Sequence, residues 1–255
     1  MKKIKGIMFL IMLISSLSVY GKQEYGIAVG EEGVGKFNTQ KDVIQFRGNS
    51  LIWPIDKKEE FFKNLVNLRD YIKKSKYEEK LILLPPSSYH ITLLSGVNET
   101  LTQRKYGFFP KDLPLSSSIF EVNQHFYNKI KKEYEEKSIE IRPVKFKVSS
   151  LNSKQGIALT MEPVDEKENE YIWKIREQFS ELLQIKRPSF YKDKFHITLA
   201  YDYIKIVDTE REEYEKFLDK GFQEIKDKEI TLDILEFVIF NDMTSFVALY
   251  EMKEN

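Results

Sequence analysis

Histidine is scarce in this chain, with three among 255 residues, and two of the three sit in matching surroundings. Tyr89-His90-Ile91-Thr92-Leu93-Leu94 and Phe195-His196-Ile197-Thr198-Leu199-Ala200 share an aromatic residue, His, Ile, Thr, Leu and an apolar residue in that order. With so few histidines, coincidence is a poor explanation for the repeat. An imidazole titrates near neutral pH, so a pair of them can act as base on one side of a phosphorus and as acid on the other. A threonine hydroxyl two residues after each histidine can donate to phosphoryl oxygens as negative charge builds on them. That scheme needs neither metal nor cofactor. The two histidines are also far apart in sequence and lack Asp, Glu or Cys at ligand spacing, which makes a poor metal site. The competing reading of each hexapeptide is a strand whose histidine is satisfied in the core. Its weakness is that burying two polar faces is costly unless every group is paired.

The elements that must position these residues follow from the hydrophobic pattern. Side chains alternate along a strand, so His90 and Thr92 share one face while Tyr89, Ile91 and Leu93 share the other, and the same holds around His196 and Thr198. Each copy therefore buries an apolar face and presents an imidazole and a hydroxyl on the opposite one. Helical spacing of apolar residues predicts helices over residues 57–74, 118–136 (with Ser118 as cap), 166–185 and 209–226. Strands are expected at 81–84, 89–94, 139–149, 156–161, 195–201, 230–240 and 244–252. A short apolar segment at 51–55 contains Pro54 and reads as an edge strand or a strand end. Residues 95–115 look like a long connection. Helices interleave with short antiparallel strands, without the rhythm of a parallel sheet, so the fold class is α+β. If two lobes are pseudo-symmetric, the two polar faces converge on one cleft.

Other residues are weaker candidates. Tyr89, Tyr191 and Arg187 are candidate substrate contacts beside the motifs, by stacking or anion binding, with core packing or a solvated surface as the alternative. Lys192 and Lys194 stand near the second motif, and Ser87 and Ser88 precede the first. His125 has no threonine two places on and reads as a helix-surface residue. Gly30 to Lys36 spells G-x-x-x-x-G-K, nearly a phosphate-binding loop, but Phe37 stands where Ser or Thr would hold magnesium, and no strand precedes it. Gly33 and Gly35 are better explained by a tight turn.

The first 21 residues have the layout of a secretory signal peptide: Lys2, Lys3 and Lys5, an apolar run over 7–14, then Ser15, Ser16 and Ser18 and a small residue at Gly21. The apolar run is too short to span a bilayer. These residues are expected to be removed, with an uncleaved N-terminal anchor as the alternative, leaving an exported chain, periplasmic or extracellular, with a Gly-rich leading arm at 22–50 and a two-lobed unit at 51–255. Lys plus Arg equal Asp plus Glu at 40 each, a balance that fits a small phosphodiester better than a long duplex. There is no cysteine, which excludes thiolate catalysis, disulfides and cysteine-held zinc.

The paired His-x-Thr motifs at His90 and His196, with GVGKF at Gly33, RGNS before the first helix, PPSSYHITL and FHITLAY, resemble the 2H phosphoesterase superfamily, in particular a bacterial branch with a Gly-rich leading segment. The superfamily includes RNA 2',3'-cyclic phosphodiesterases and bacterial enzymes named for 2'-5' RNA ligase activity. The resemblance implies a bilobal, duplicated α+β fold with both motifs lining a central cleft. It implies His90 and His196 as acid and base, Thr92 and Thr198 as phosphate-binding groups, and no metal. The expected partner is a small nucleotide or cyclic phosphate, or a short RNA end, bound by a monomer that takes no duplex nucleic acid. A binding protein without turnover and an RNA-end ligase are the competing functions.

Overall fold

A computed structural model describes residues 24–99, 109–186 and 194–254. The expected leader at 1–21 lies outside them. Two antiparallel sheets form the framework. The first has strand order β3-β1-β8-β9, from β1 (Gly48–Pro54), β3 (His90–Asn98), β8 (Ile234–Asp242) and β9 (Ser245–Lys253). The second has order β2-β6-β5-β4-β7, from β2 (Leu81–Leu83), β6 (Phe195–Asp202), β5 (Ile157–Pro163), β4 (Val144–Asn152) and β7 (Glu229–Leu232). Four described helices cover them: α1 (Glu60–Lys73), α2 (Ile119–Glu135), α3 (Glu166–Leu182) and α4 (Asp208–Phe222). The α+β class read from the sequence is the observed one.

Each helix buries one apolar stripe. In α1 it is Phe61, Leu65, Leu68 and Ile72, and Tyr71 stacks on Phe217 of α4 with ring centroids 4.6 Å apart. In α3 it is Ile172, Ile175 and Phe179, and this helix touches β3 of the first sheet as well as β4 and β5 of the second. Burying each such side chain contributes about 1.5–3 kcal/mol, so α3 ties the two sheets together chiefly through its core face. Helix α2 starts with Ser118, whose side chain accepts from the Glu121 N–H while the Glu121 carboxylate accepts from the Ser118 N–H. That reciprocal cap satisfies two N–H groups that the helix itself leaves unpaired.

Several expected boundaries change, three of them near the site or between the sheets. The strand expected at 230–240 is two strands separated by Asp233: β7 pairs with β4 in one sheet and β8 pairs with β1 in the other. The alternating pattern continues through the break because both pieces are half-buried, so the pattern alone does not show the change of sheet. β1 lies between β3 and β8 and is not an edge strand; Pro54 is its last residue, beyond Ile52 where the register with β8 ends. β3 runs on to Asn98, through residues expected to be loop. Gly96 is needed there because a Cβ would come 1.8 Å from the Asn49 side-chain oxygen, which accepts from the Val97 N–H at 3.0 Å. Asn49 also donates to Asn123 of α2 at 2.7 Å, fixing the helix to the sheet by a buried amide pair.

Removing the helix cap isolates one of these terms. Ser118→Ala is expected to lower unfolding free energy by about 1 kcal/mol in urea titration, with an unchanged m-value; an unchanged midpoint would show that α2 gains nothing from the cap.

Candidate active site

Strand β3 lies at the edge of its sheet and β6 lies inside the other, and the two strands pack against each other where the sheets meet. The alternation expected from the sequence holds in both. Tyr89, Ile91 and Leu93 are buried, as are Phe195, Ile197 and Leu199, while His90, Thr92, His196 and Thr198 are less buried than these neighbours. All four polar residues line one cavity of about 450 Å³, together with Ser50, Asn49, Ser88 and Ser95.

The two imidazoles are held in the same way. His90 Nδ1 lies 2.7 Å from the carbonyl oxygen of Ser88, and His196 Nδ1 lies 2.9 Å from the carbonyl oxygen of Lys194. A carbonyl only accepts, so in each neutral ring the proton sits on Nδ1 and the Nε2 lone pair is left for other work. Ser88 is itself fixed by a turn that starts at Pro85: its N–H and its hydroxyl both donate to the Pro85 carbonyl, at 2.9 and 2.8 Å. The proline pair that ends β2 thereby places the acceptor for the first histidine.

Electrostatics separate His90 from an ordinary histidine. Burial in the cleft pushes its pKa down to about 4, the Ser88 carbonyl opposes this, and the positive charges available to His196 and Lys36 add to it. Phe246 covers the ring edge-on with centroids 4.4 Å apart. One wall of the cavity is aromatic: Phe46 and Phe240 stack at 6.4 Å, and Phe240 meets Phe246 at 5.2 Å. A second cavity of about 530 Å³ adjoins the first and shares Lys36, Thr92, Ser95, His196, Thr198 and Tyr201 with it. No Asp or Glu is among the described residues lining either cavity. Among the described residues, no three His, Cys, Asp or Glu side chains are grouped to hold a metal ion.

The structure does not bring every candidate to the cleft. Tyr89 is 3% exposed on the opposite face of the strand, with its hydroxyl toward the Leu84 carbonyl, and is not among the cavity's lining residues. Burial pushes its phenol well above the usual range. Arg187, Tyr191 and Lys192 lie outside the described residues. Lys194 is exposed and lines the second cavity. His125 pairs with Asp112 at 2.9 Å on α2, outside the cavity lining. Sequence reasoning missed Lys36 and Tyr201, which line both cavities. Strict alternation from His196 and Thr198 would put Tyr201 on the opposite face; the register shift that pairs Ile157 with Ala200 and Ala158 with Thr198 gives β6 one extra residue and returns Tyr201 to the cleft. Lys36 was visible only as the lysine of an incomplete phosphate-binding loop.

The held tautomer and the low pKa are measurable together. In ¹⁵N-resolved NMR of the free protein, His90 is expected to be the neutral Nδ1–H form at pH 7 and to titrate near pH 4. Because its folded pKa lies below the ordinary value of about 6.5, the unfolded chain binds this proton first and the group costs stability as pH falls from about 6.5 toward 4. A midpoint at or above 6 would contradict the burial argument.

The model of a domain of unknown function, DUF1868, labelled 2H-phosphodiest, matches residues 36–157, which include the first motif. No curated protein matches the chain. Among solved structures, a conserved protein of unknown function from Agrobacterium tumefaciens is similar, with TM-score 0.75 and 19% identity over 84% of this chain and 89% of that one. A protein of Thermus thermophilus aligns with TM-score 0.48 and 13% identity over 81% of this chain and 97% of that one. Escherichia coli LigT aligns with TM-score 0.47 and 10% identity over 83% and 99%. The family model over residues 36–157 and the second His-x-Thr motif beyond its reach both support the 2H phosphoesterase superfamily.

Proposed function

We propose that the protein hydrolyses a small phosphodiester, a cyclic nucleotide phosphate or a short RNA end, with His90 and His196 as its acid and base. The observation that supports this best is the matched clamp on the two rings: both Nδ1 atoms sit on backbone carbonyls, and both histidines line one cavity with two threonines. In the reaction, water attacks phosphorus as one Nε2 takes its proton, the P–O bond to the leaving oxygen breaks, and the other imidazole, protonated, gives that oxygen its proton. The protons balance, and the two histidines exchange roles of charge in one turnover. Thr92 and Thr198 donate to non-bridging oxygens, where charge grows as the new bond forms. The Phe46, Phe240 and Phe246 wall offers a nucleobase an apolar face. No step in this scheme uses a metal or cofactor.

Turnover of 2',3'-cyclic and 3',5'-cyclic nucleotides and short oligonucleotides, assayed in EDTA, tests the reading. His90→Ala and His196→Ala are each expected to lower kcat by about 100- to 10,000-fold, and Thr92→Val or Thr198→Val by about 100-fold. Activity that survives both histidine substitutions would sink the assignment. A wild type that binds phosphate ligands without turnover would favour a binding protein, and joining of RNA ends on the same histidines would favour a ligase.

No described helix is long and apolar enough to cross a membrane. The layout of residues 1–21 supports export of the chain. Protein recovered outside the cytoplasm is expected to begin at Lys22 by N-terminal sequencing; a cytoplasmic chain that keeps Met1 would refute this.

A further inference from the structure

The Gly-rich segment before β1 delivers one side chain to the cleft. Gly33 has a left-handed backbone, φ +81°, and a Cβ on Gly35 would come 2.6 Å from the Gly30 nitrogen, so the turn at Gly30–Gly35 closes only with glycine at its tight points. The residue after the turn is Lys36. Its N–H donates to the Ala28 carbonyl at 2.8 Å and its carbonyl accepts from the Ile44 N–H at 3.2 Å, while the next residue, Phe37, is buried against the Tyr201 ring at 5.7 Å. The segment is anchored on both sheets. The Gly26 N–H donates to the Tyr203 carbonyl and the Tyr203 hydroxyl to the Thr39 carbonyl on the β6 side, and the Phe46 N–H donates to the Asn241 carbonyl on the β8 side.

With the backbone fixed, the ammonium has a defined place. Lys36 Nζ donates to the Tyr201 hydroxyl at 2.7 Å and lies 4.4 Å from the Tyr201 ring centroid and 5.5 Å from that of Phe46. It lines the cavity that holds His90, Thr92, His196 and Thr198, and is the one Lys or Arg among the described residues doing so. No described carboxylate forms an ion pair with it. A half-buried ammonium whose neighbours are a phenol and two ring faces lacks the counter-charge that would neutralise it, and an anion in the cavity would supply one.

We propose that Lys36 is a phosphate-binding residue of this site, its ammonium pairing with a non-bridging oxygen of the phosphodiester while the Tyr201 hydroxyl positions it. Residues 24–47 then belong to the site. This differs from the loop that cradles a nucleoside triphosphate: the glycines here shape a turn that aims the lysine, Phe37 occupies the metal-binding hydroxyl's place, and no helix follows. The proposal rests on the phosphodiesterase reading for the identity of the anion. Lys36 also bears on His90, whose ring is faced by His196, the Ser88 carbonyl and Phe246, and removing its charge relieves one of the influences that keep His90 neutral.

The test compares wild type with Lys36→Met, Lys36→Arg and Tyr201→Phe, using the best substrate of the panel and inorganic phosphate as probe. Lys36→Met is expected to lower kcat/KM about 30-fold and to weaken phosphate binding about 10-fold, with Lys36→Arg recovering part of both and Tyr201→Phe losing about 3- to 10-fold. The His90 titration should move upward in Lys36→Met, which reports that the ammonium stands near that ring, while the loss of phosphate affinity is the readout that a merely structural role would not produce. Turnover and phosphate affinity within about twofold of wild type in Lys36→Met, while His90→Ala is inactive, would overturn the proposal. If Lys36→Met fails to fold, Tyr201→Phe decides, because wild-type phosphate affinity there removes the positioning role on which the proposal depends. If wild type shows no histidine-dependent turnover, the phosphodiesterase reading fails separately, and calorimetric phosphate binding by the folded variants alone judges Lys36: unchanged affinity overturns it and about tenfold weaker binding upholds it.

Discussion

The arrangement turns on a local constraint: each of two imidazoles gives its Nδ1 proton to the backbone carbonyl two residues before it. Both contacts arise at the start of a strand. β3 begins with His90 itself and β6 one residue before His196, so the accepting carbonyls of Ser88 and Lys194 precede the ladders. Ser88 is buried and its carbonyl needs a donor, which the His90 imidazole supplies; Lys194 is exposed, and its carbonyl meets the His196 ring in the same way. The hydrogen bond sets the tautomer and turns the ring about its own strand, and the pleat then places the threonine two residues on along the same face. Everything else in the fold serves to bring two such strand starts together.

Charge is arranged around the cleft by omission. The chain carries 40 acidic residues, yet the described residues lining the cavities include none of them. Several sit instead in exposed pairs such as Lys76–Glu213 and Lys216–Glu212, where solvent leaves an ion pair worth little. A carboxylate beside His90 would raise its pKa and repel a phosphate; burial with Lys36 nearby does the reverse. By the proposed function, an anion entering the cavity would reverse the sign of that influence, and the neutral ring would gain proton affinity. Near-zero net charge over the whole chain is therefore compatible with the proposed anion site, whose charges act within a few ångströms.

How much of this the sequence reveals depends on whether a feature is local. The two hexapeptides are legible because a period of two fixes which side chains share a face, and Ser118 with Glu121 is legible because a cap is a four-residue event. The same alternation already sets Tyr89 with Ile91 and Leu93, away from His90, and its burial follows from that more directly than any substrate contact does. The split between β7 and β8 is not legible, since Asp233 is a single polar residue in step with the alternation and only the partners differ. Lys36 is hidden for another reason. Judged against the triphosphate-binding loop, the G-x-x-x-x-G-K sequence fails at Phe37, but the physical content of that sequence is a glycine turn followed by a cation, and nothing local says that Tyr201, 165 positions away, receives it.

The order in which the chain visits its sheets bears on how the cleft works. It crosses from one sheet to the other after β1, β2, β3 and β7, and the last crossing is made by the single residue Asp233. Neither sheet is built from one half of the chain, because β2 joins β6 while β8 and β9 join β1 and β3. A hinge between the sheets would have to stretch every crossing at once, against a one-residue connection and against α3, whose buried face touches both. The histidines are thus separated by a distance that the ladders fix before any substrate arrives. The two proton transfers of the proposed reaction, on opposite sides of one phosphorus, would require that kind of fixed separation, since an error of about 1 Å in placing either ring costs rate steeply. The leading segment, bonded to both sheets from outside, adds a further tie across the cleft and carries its lysine inward at the same point.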